Sequence, residues 1–565
     1  MLQIQEHWTI HQAVTEAALR YASGDLLVVP GDPERSYHPN GYTLSFEQAA
    51  QAMQALADVY RAAGYGFPHR IGLFLANRPE HLAHKLAMNS LGICCVPINP
   101  DYRAAELVYL VEHSRLDLIV THEDSLDFIT QSLAGSQHQP PVITLGPFEH
   151  RTPPAARAYE HRTPRHDTPA SILYTSGTTG RPKGCVLSHR YELASGDWYA
   201  RQGGLVSVRP GQERLYNPLP LFHVNASILS FYCMLLTGNC QIQPERFRVS
   251  RWWEDVRQTR ATIVHYLGVI IPMLLKQPES ALDRQHQVRL GYGAGVEPEL
   301  HALFEARFGF PLVELWGMTE MVRVLSDRHE PRKRGTRAFG RAEPGLDVQV
   351  VDAAGQPVPD GTPGEMVIRY SADTPRKDFF TGYLDDPQAT ETAWRGGWFH
   401  TGDVVTRDTD GMLHFVDRDK NIIRRAGENI AAAEVEATLL LHPRVQQVAV
   451  LAAPDEIREA EVLACIVLKP DPAAQAGAQA VAQAGGPAGA AGLPDARLLA
   501  RELFDFCFER LAYYKVPGWW WFTPEIPTTG TQKIQKHRIF PAGADPRGTA
   551  GMIDLRALKK RNRAP

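Results

Sequence analysis

A chain of 565 residues exceeds the length at which one hydrophobic core stops growing, so at least two domains are expected. A net charge of −4 and a pI near 6.6 carry no basic footprint, which argues against nucleic acid or an anionic membrane surface as partner. Seven cysteines (Cys94, Cys95, Cys185, Cys233, Cys240, Cys465, Cys507), odd in number and set within apolar runs, fit reduced thiols of a cytosolic protein better than a disulfide framework.

Met1 to Val14 has no basic stretch followed by an apolar block and does not read as a signal peptide. No uncharged apolar run approaches the roughly 20 residues that a membrane-spanning helix needs. Ser45 to Ala63 sets Phe46, Ala50, Met53, Ala57 and Tyr60 on one helical stripe, and Ser45 with Gln48 has capping-box spacing, so a helix starts there. β-Rich runs at Ile71 to Leu75, Leu116 to Thr121, Val142 to Leu145 and Ile172 to Thr175 alternate with helical patterns, as in a mostly parallel sheet with helices packed on it. Glu80-His-Leu-Ala-His84 has a superficial zinc-helix look, but its histidines are three apart and the glutamate precedes both, so surface helix residues are expected.

The strongest chemical signal is Ile172-Leu-Tyr-Thr-Ser-Gly-Thr-Thr-Gly-Arg-Pro-Lys-Gly-Cys-Val186, a strand running into a loop suited to phosphate. Gly177, Gly180 and Gly184 allow tight turns that aim N–H groups at an anion. Thr175, Ser176, Thr178 and Thr179 add hydroxyl donors, and Lys183 adds a mobile positive charge. The lysine follows Pro182, and Gly184 stands where a Walker loop needs Ser or Thr, so this is not that motif.

Six further motifs follow in order: Pro220-Leu-Phe-His223, Gly291-Tyr-Gly-Ala-Gly295, Leu315-Trp-Gly-Met-Thr-Glu320, Gly397-Trp-Phe-His-Thr-Gly-Asp403, Phe415-Val-Asp-Arg418 and Thr529-Gly-Thr-Gln-Lys533. With the phosphate loop, and over nearly the whole chain, they resemble the adenylate-forming superfamily of acyl-CoA synthetases, acid:CoA ligases, luciferases and peptide-synthetase adenylation domains.

The resemblance implies ATP contacts by Thr175, Ser176, Gly177, Thr178, Thr179, Gly180, Lys183, Glu314 and Gly317, with Trp316 and the turn Gly293, Ala294 and Gly295 on the two faces of the adenine. Trp316 stands where the family usually has Tyr; either ring offers an apolar face. Asp403 is placed to accept from the ribose hydroxyls and Arg418 to donate to ribose or phosphate. Thr319 is expected at a phosphate oxygen and Glu320 at Mg²⁺, an ion often bound through one carboxylate plus substrate phosphates. Lys533 is the expected catalytic ammonium, stabilising charge that builds at the α-phosphate; Gln532 departs from the glycine usual before it. His223 either lines the acyl pocket beside the reacting carboxylate or is a satisfied core group.

The texture changes near Asp417 to Asp419, beyond which Val448 to Leu451 and Leu463 to Leu468 read as strands of a smaller α+β domain. By resemblance this domain presents Lys533 for adenylation, then swings about a hinge at Lys420 to complete the thiol site. Arg424, Arg425, Gly427 and Asn429 would then meet coenzyme A. Residues 471–494 are almost wholly Ala, Gly, Gln and Pro and read as a flexible insertion. From Gly543 the chain is polar, with a basic run at Lys559 to Arg563, and reads as a solvated tail.

The expected fold class is α/β: a large multi-layer N-terminal domain with mixed, mainly parallel sheets flanked by helices, and a small mobile α+β C-terminal domain. The boundaries read as 1–417, 418–545 and a tail at 546–565. The expected function is an ATP-dependent acyl-CoA ligase using Mg²⁺ and coenzyme A. The alternatives are loading of a carrier-protein phosphopantetheine and a non-catalytic nucleotide-responsive binding protein. The partner is a small carboxylic acid, with no nucleic acid and no integral membrane association; the oligomeric state stays open, a homodimer included.

Gly317-Met-Thr-Glu320 with Asp327-Arg328, and Arg425-Ala-Gly-Glu-Asn429, most resemble the bacterial crotonobetaine/carnitine-CoA ligases. His223, Asn225 and Val322 are the acid-pocket candidates. Phe222 to Tyr232 contains no acidic residue for a trimethylammonium group. Tyr216, Phe222, Phe231 and Tyr232 form an aromatic cage, pack a fatty or aryl acid, or fill the core. Arg323 faces a second substrate carboxylate or solvent.

Overall fold

Short runs of Val, Ile, Leu and Tyr bounded by turns build two large sheets in the N-terminal part of the chain, because such runs can be buried on both faces once helices cover them. The computed structural model describes all residues except 147–151, 176–181, 269, 297, 419–421, 470–495, 528–533, 535, 537–538, 542–543 and 561–565; at 322, 417, 418, 422, 429, 431 and 433 only the backbone is described. The expected loop residues Ser176, Gly177, Thr178, Thr179 and Gly180, the hinge Lys420 and the catalytic Lys533 thus lie outside the described residues. The chain falls into two units, one drawn mainly from residues before 420 and one mainly from 420 onward.

In the first unit, one sheet runs in the order Met321–Ser326, Leu312–Met318, Leu290–Ala294, Ile263–Leu267, Arg214–Tyr216, Cys240–Ile242, Asp25–Val29, Tyr42–Ser45. Its six inner strands are mutually parallel and its two edge strands antiparallel. A second sheet holds Pro169–Thr175, Cys94–Pro97, Arg70–Phe74, Leu118–Thr121 and Val142–Thr144 in parallel, with Lys183–Ser188 and Gly382–Tyr383 added antiparallel at one edge. A third sheet of five antiparallel strands, from Ala338–Gly340 to Leu413–Arg418, completes the unit. Sequence reading missed it as a separate layer because its pairings are long-range, Ala338 meeting His414 and Gly364 meeting Val405, and local pattern does not reveal them.

Helix Phe46–Ala62 starts as expected, with reciprocal bonds between Ser45 and Gln48 forming the capping box. Its buried stripe uses Ala49, with Ala50 at the edge of the core. His81 and His84, expected at the surface, are instead buried, because helix Pro79–Ser90 is packed on nearly every side. His84 Nδ1 bonds Tyr60 Oη at 2.9 Å, and burial pushes His84 down to about 4 and His81 to about 3, keeping both neutral. On the same helix Lys85 forms a fully buried ion pair with Glu192, whose other oxygen accepts from Ser171 Oγ at 2.5 Å. Tyr216, Phe231 and Tyr232 fill the core, and Lys85 Nζ donates to Tyr232 Oη at 3.1 Å, so these rings form no cage.

The second unit is built on the antiparallel pair Val445–Asp455 and Glu459–Leu468, which packs against helices Ala432–Leu440 and Ala496–Phe508. Its C-terminal residues differ from the solvated tail read in the sequence. Ile553–Asp554 pairs antiparallel with Trp519–Phe522, Leu555 is buried, and the Lys559 ammonium reaches the buried Glu461 carboxylate. The basic character that suggested a solvated end here serves an internal ion pair, a long-range partner that local composition does not reveal.

Candidate active site

Four parallel strands of the eight-stranded sheet, Arg214–Tyr216, Ile263–Leu267, Leu290–Ala294 and Leu312–Met318, end on the same edge. Ligands of open α/β sheets sit in the crevice outside such carboxyl ends. Most site residues expected in the first unit are placed there or against it.

The Leu290–Ala294 strand runs into the glycine turn. A Cβ at Gly293 would collide with the Tyr266 carbonyl, and Gly295 has φ 87°, so both positions need glycine. Glu314, on the neighbouring strand, holds this turn: Oε2 accepts from Gly295 N–H at 2.8 Å and Val296 N–H at 3.4 Å, and Oε1 from Tyr266 O–H at 2.7 Å. Burial pushes its carboxyl up to about 7 against those three donors. Glu314 thus shapes the wall expected beside adenine through the backbone of that wall.

Two residues on, Trp316 is buried, and its Nε1–H donates to Asp403 Oδ2 at 2.8 Å. Asp403 lies on strand Phe399–Arg407, 3% exposed, directly across from the backbone of Arg418 on strand Leu413–Arg418. A Cβ at Gly317 would press on Val324 at 2.9 Å, which keeps the two strands of that hairpin close.

Thr319 and Glu320 form the two-residue turn between strands Leu312–Met318 and Met321–Ser326. Tyr191 O–H donates to the Thr319 carbonyl at 2.7 Å and Phe380 N–H to the Glu320 carbonyl at 3.0 Å, so both sides of the turn are anchored. The Glu320 side chain, 7% exposed, accepts from Tyr383 O–H at 2.9 Å. The Lys183 ammonium lies 4.8 Å from the centre of the same Tyr383 ring, and Thr175 pairs with Lys183 at the mouth of the hairpin carrying the phosphate loop. Sequence reading missed Tyr383; its signal was a Gly-Tyr pair whose partners lie about 60 and 200 residues away.

Residues His223 and Asn225 occupy the opposite end of this edge. His223 is half-buried, its ring 4.6 Å from that of Phe222, and its carbonyl accepts from Ser227 Oγ at 3.0 Å. Asn225 opens a six-residue π-helix, Asn225–Ser230, a rare form that recurs at functional sites. Val322 is on strand Met321–Ser326, one position before Arg323, and only its backbone is described. Arg323, expected to face a second substrate carboxylate or solvent, is buried and turned to protein partners: it pairs with the buried Asp378, donates to the Gly345 carbonyl at 3.0 Å, and lies against the rings of Trp198 and Tyr370.

In the second unit, Ile422–Arg425 and Glu428–Ala431 form a hairpin whose two-residue turn, Ala426 and Gly427, has φ 51° and 85°. Arg424 pairs with Asn429 across it. Arg425, expected as a donor to coenzyme A, is instead 5% exposed and donates Nε–H to Glu461 at 2.8 Å. An unpaired carboxylate at the buried Glu461 is far costlier than an arginine drawn off the surface.

Among the described residues, no helix is long and apolar enough to cross a membrane, and no group of three or more His, Cys, Asp or Glu side chains is arranged to hold a metal ion. Family models match the chain twice: AMP-binding enzyme over residues 28–383 and AMP-binding enzyme C-terminal domain over 434–533. A sulfoacetate–CoA ligase of Cupriavidus necator is 30% identical over 516 residues, covering 90% of this chain and 94% of its own. A crotonobetaine/carnitine–CoA ligase of Proteus mirabilis is 28% identical over 514 residues, covering 88% and 92%. The solved o-succinylbenzoate CoA synthetase of Bacillus subtilis shares the fold, with a TM-score of 0.77 at 22% identity over 94% of this chain and 98% of its own. The matched models and the length of the shared sequence together show that this chain belongs to the AMP-binding enzyme family, among its ATP-dependent acid–CoA ligases.

Proposed function

We propose that the chain joins a small carboxylic acid to coenzyme A in two steps at the strand ends described above. In the first step a carboxylate oxygen of the acid attacks the α-phosphorus of ATP. A P–O bond forms as the bond to pyrophosphate breaks, giving an acyl adenylate. In the second step the thiol sulfur attacks the acyl carbonyl and AMP leaves with the C–O electron pair, while the thiol proton passes to solvent.

The observation that carries this reading is the Trp316–Asp403 bond beside the glycine turn, since it sets an apolar ring and a carboxylate acceptor side by side, as adenine and a ribose diol require. Thr175, Lys183, Thr319 and the loop 176–180 would hold the phosphates, Arg418 would donate to ribose or phosphate, and Lys533 would stabilise the charge developing at the α-phosphoryl group. Mg²⁺ would be held by Glu320, a buried carboxylate that accepts from Tyr383 O–H, together with ATP phosphates, and would supply positive charge to them. His223, Asn225 and Val322 would line the acid.

In the second step Lys420 would serve as hinge, with Arg424, Gly427 and Asn429 facing coenzyme A. The two acids in the relatives' names, sulfoacetate and crotonobetaine/carnitine, support a short polar acid. The seven buried free thiols support a cytoplasmic setting.

The test is an assay of the purified protein with Mg·ATP, coenzyme A and a panel of acids, scored for AMP and thioester together. Acid-dependent adenylate without thioester would overturn the coenzyme A assignment, and absence of acid-dependent pyrophosphate exchange would overturn adenylation. Lys533→Ala is expected to slow adenylation about 100-fold to 1000-fold while sparing thioester formation from a supplied acyl adenylate.

A further inference from the structure

A closed set of hydrogen bonds behind the strand ends fixes which way one amide faces. The Asn217 carboxamide is oriented by the chain itself, because its Oδ1 accepts from the Leu219 backbone N–H at 3.1 Å. Its Nδ2 is therefore the donor, and the two protons go to Asn225 Oδ1 at 3.0 Å and Ser230 Oγ at 2.9 Å. Ser230 O–H passes on to Gln241 Oε1 at 2.7 Å, and Gln241 Nε2 to Gln243 Oε1 at 2.9 Å.

His265 closes the set from the other side, with Nδ1 lying 2.8 Å from Asn225 Oδ1 and Nε2 3.1 Å from Tyr199 Oη. Asn225 Oδ1 can only accept, so Nδ1 carries the proton and donates to it, while Nε2 accepts from Tyr199 O–H; Asn217 Nδ2 also lies 3.3 Å from Nδ1 but gives its protons to the two shorter contacts. Burial keeps this imidazole neutral, down to about 3. Turning the Asn225 amide over would set its NH₂ against the NH₂ of Asn217, two donors 3.0 Å apart.

Tyr199, Asn217, Ser230, Gln241, Gln243 and His265 are all buried, and Asn225 is the one side chain of the set that is only half-buried. We infer that Asn225 is a specificity-determining residue whose NH₂, held outward by the positioning residues Asn217 and His265, selects acids that carry a hydrogen-bond acceptor in addition to the reacting carboxylate. This rests on the adenylation reading above and adds the substrate class to it. An acid ending in an oxyanion, carbonyl or hydroxyl oxygen meets a donor there. One ending in a methyl group leaves that donor unmet, and one ending in an ammonium group is opposed by it.

The experiment compares acid-dependent pyrophosphate exchange for ω-carboxylate, ω-methyl and ω-ammonium acids of two to five carbons. The native chain is expected to favour an ω-carboxylate acid over its ω-methyl counterpart by about tenfold in kcat/KM, expressed mainly in KM. Asn225→Asp keeps both internal acceptor bonds and presents an oxygen outward, so it is expected to invert the order toward the ω-ammonium acid. His265→Leu is expected to erode the preference, and His265→Gln, which restores an N–H donor, to recover part of it.

Native exchange that favours ω-methyl acids, or an Asn225→Asp loss of equal size for every acid, overturns the inference and leaves adenylation standing. No exchange with any acid overturns adenylation and the inference with it. If His265→Leu fails to fold, the Asn225→Asp inversion decides alone.

Discussion

The indole N–H of Trp316 donates to Oδ2 of Asp403 at 2.8 Å, joining the ring expected beside adenine to the carboxylate expected on ribose across 87 positions of sequence. A phenylalanine at 316 would keep an aromatic face and lose this bond. Trp316 therefore holds the Asp403 carboxylate in place as well as presenting an apolar ring.

Trp316→Phe should raise the KM for ATP by about tenfold, the worth of one hydrogen bond to a charged group, with a smaller change in kcat. Asp403→Asn should do at least as much. The double variant should fall short of the sum, because both changes break one bond. Additive effects in steady-state kinetics would count against the coupling.

Tyr383 carries two separable contacts: its O–H reaches Glu320 and its ring lies against the Lys183 ammonium. Tyr383→Phe should lower adenylation by roughly tenfold through loss of one charge-assisted bond and shift the response to Mg²⁺ concentration. Tyr383→Leu, which also removes the aromatic face, should lower it further. Equal rates for the two variants would leave the ring without a role.

The raised carboxyl of Glu314 predicts a pH dependence of stability in the first unit. The group ionises near pH 4.5 when unfolded and near 7 in the fold. Folding therefore favours the protonated form, and the stability present below pH 4.5 is lost as pH rises through 7, by on the order of 3 kcal/mol. Thermal denaturation of Glu314→Gln from about pH 5 to about pH 8 should show a flatter fall in Tm than the native chain. Matching slopes would place the titration elsewhere.

Glu461 is a fully buried carboxylate shared by Arg425 and Lys559. Lys559→Met should destabilise the second unit by about 3 kcal/mol, the low end for breaking a buried pair, since Arg425 stays in place. Arg425→Met should cost a similar amount in urea denaturation. A rise in KM for coenzyme A with unchanged stability would instead return Arg425 to the thiol site.

Much of the local geometry around the candidate site was legible in sequence because its parts are local. Gly293 and Gly295 serve a turn whose geometry tolerates no Cβ, Thr319 and Glu320 close a hairpin, and Ser45 with Gln48 caps a helix; each depends on neighbours within a few residues. The failures share the opposite property. Arg425 looked like an exposed donor until Glu461 was placed beneath it, Arg323 like a contact to substrate or solvent until Asp378 was, and the His81–His84 helix like a surface helix until its neighbours enclosed it.

The order and spacing of the motifs determined the family and its acid–CoA ligase chemistry, because turn geometry and charge are written in short stretches of chain. Tertiary structure alone decided which polar groups are spent on one another. A hydrogen bond such as His265 to Asn225, 40 positions apart, exists only once the sheet has brought its strands into register. Only burial then makes leaving such a group unpaired costly enough to fix the direction in which the remaining amide protons point.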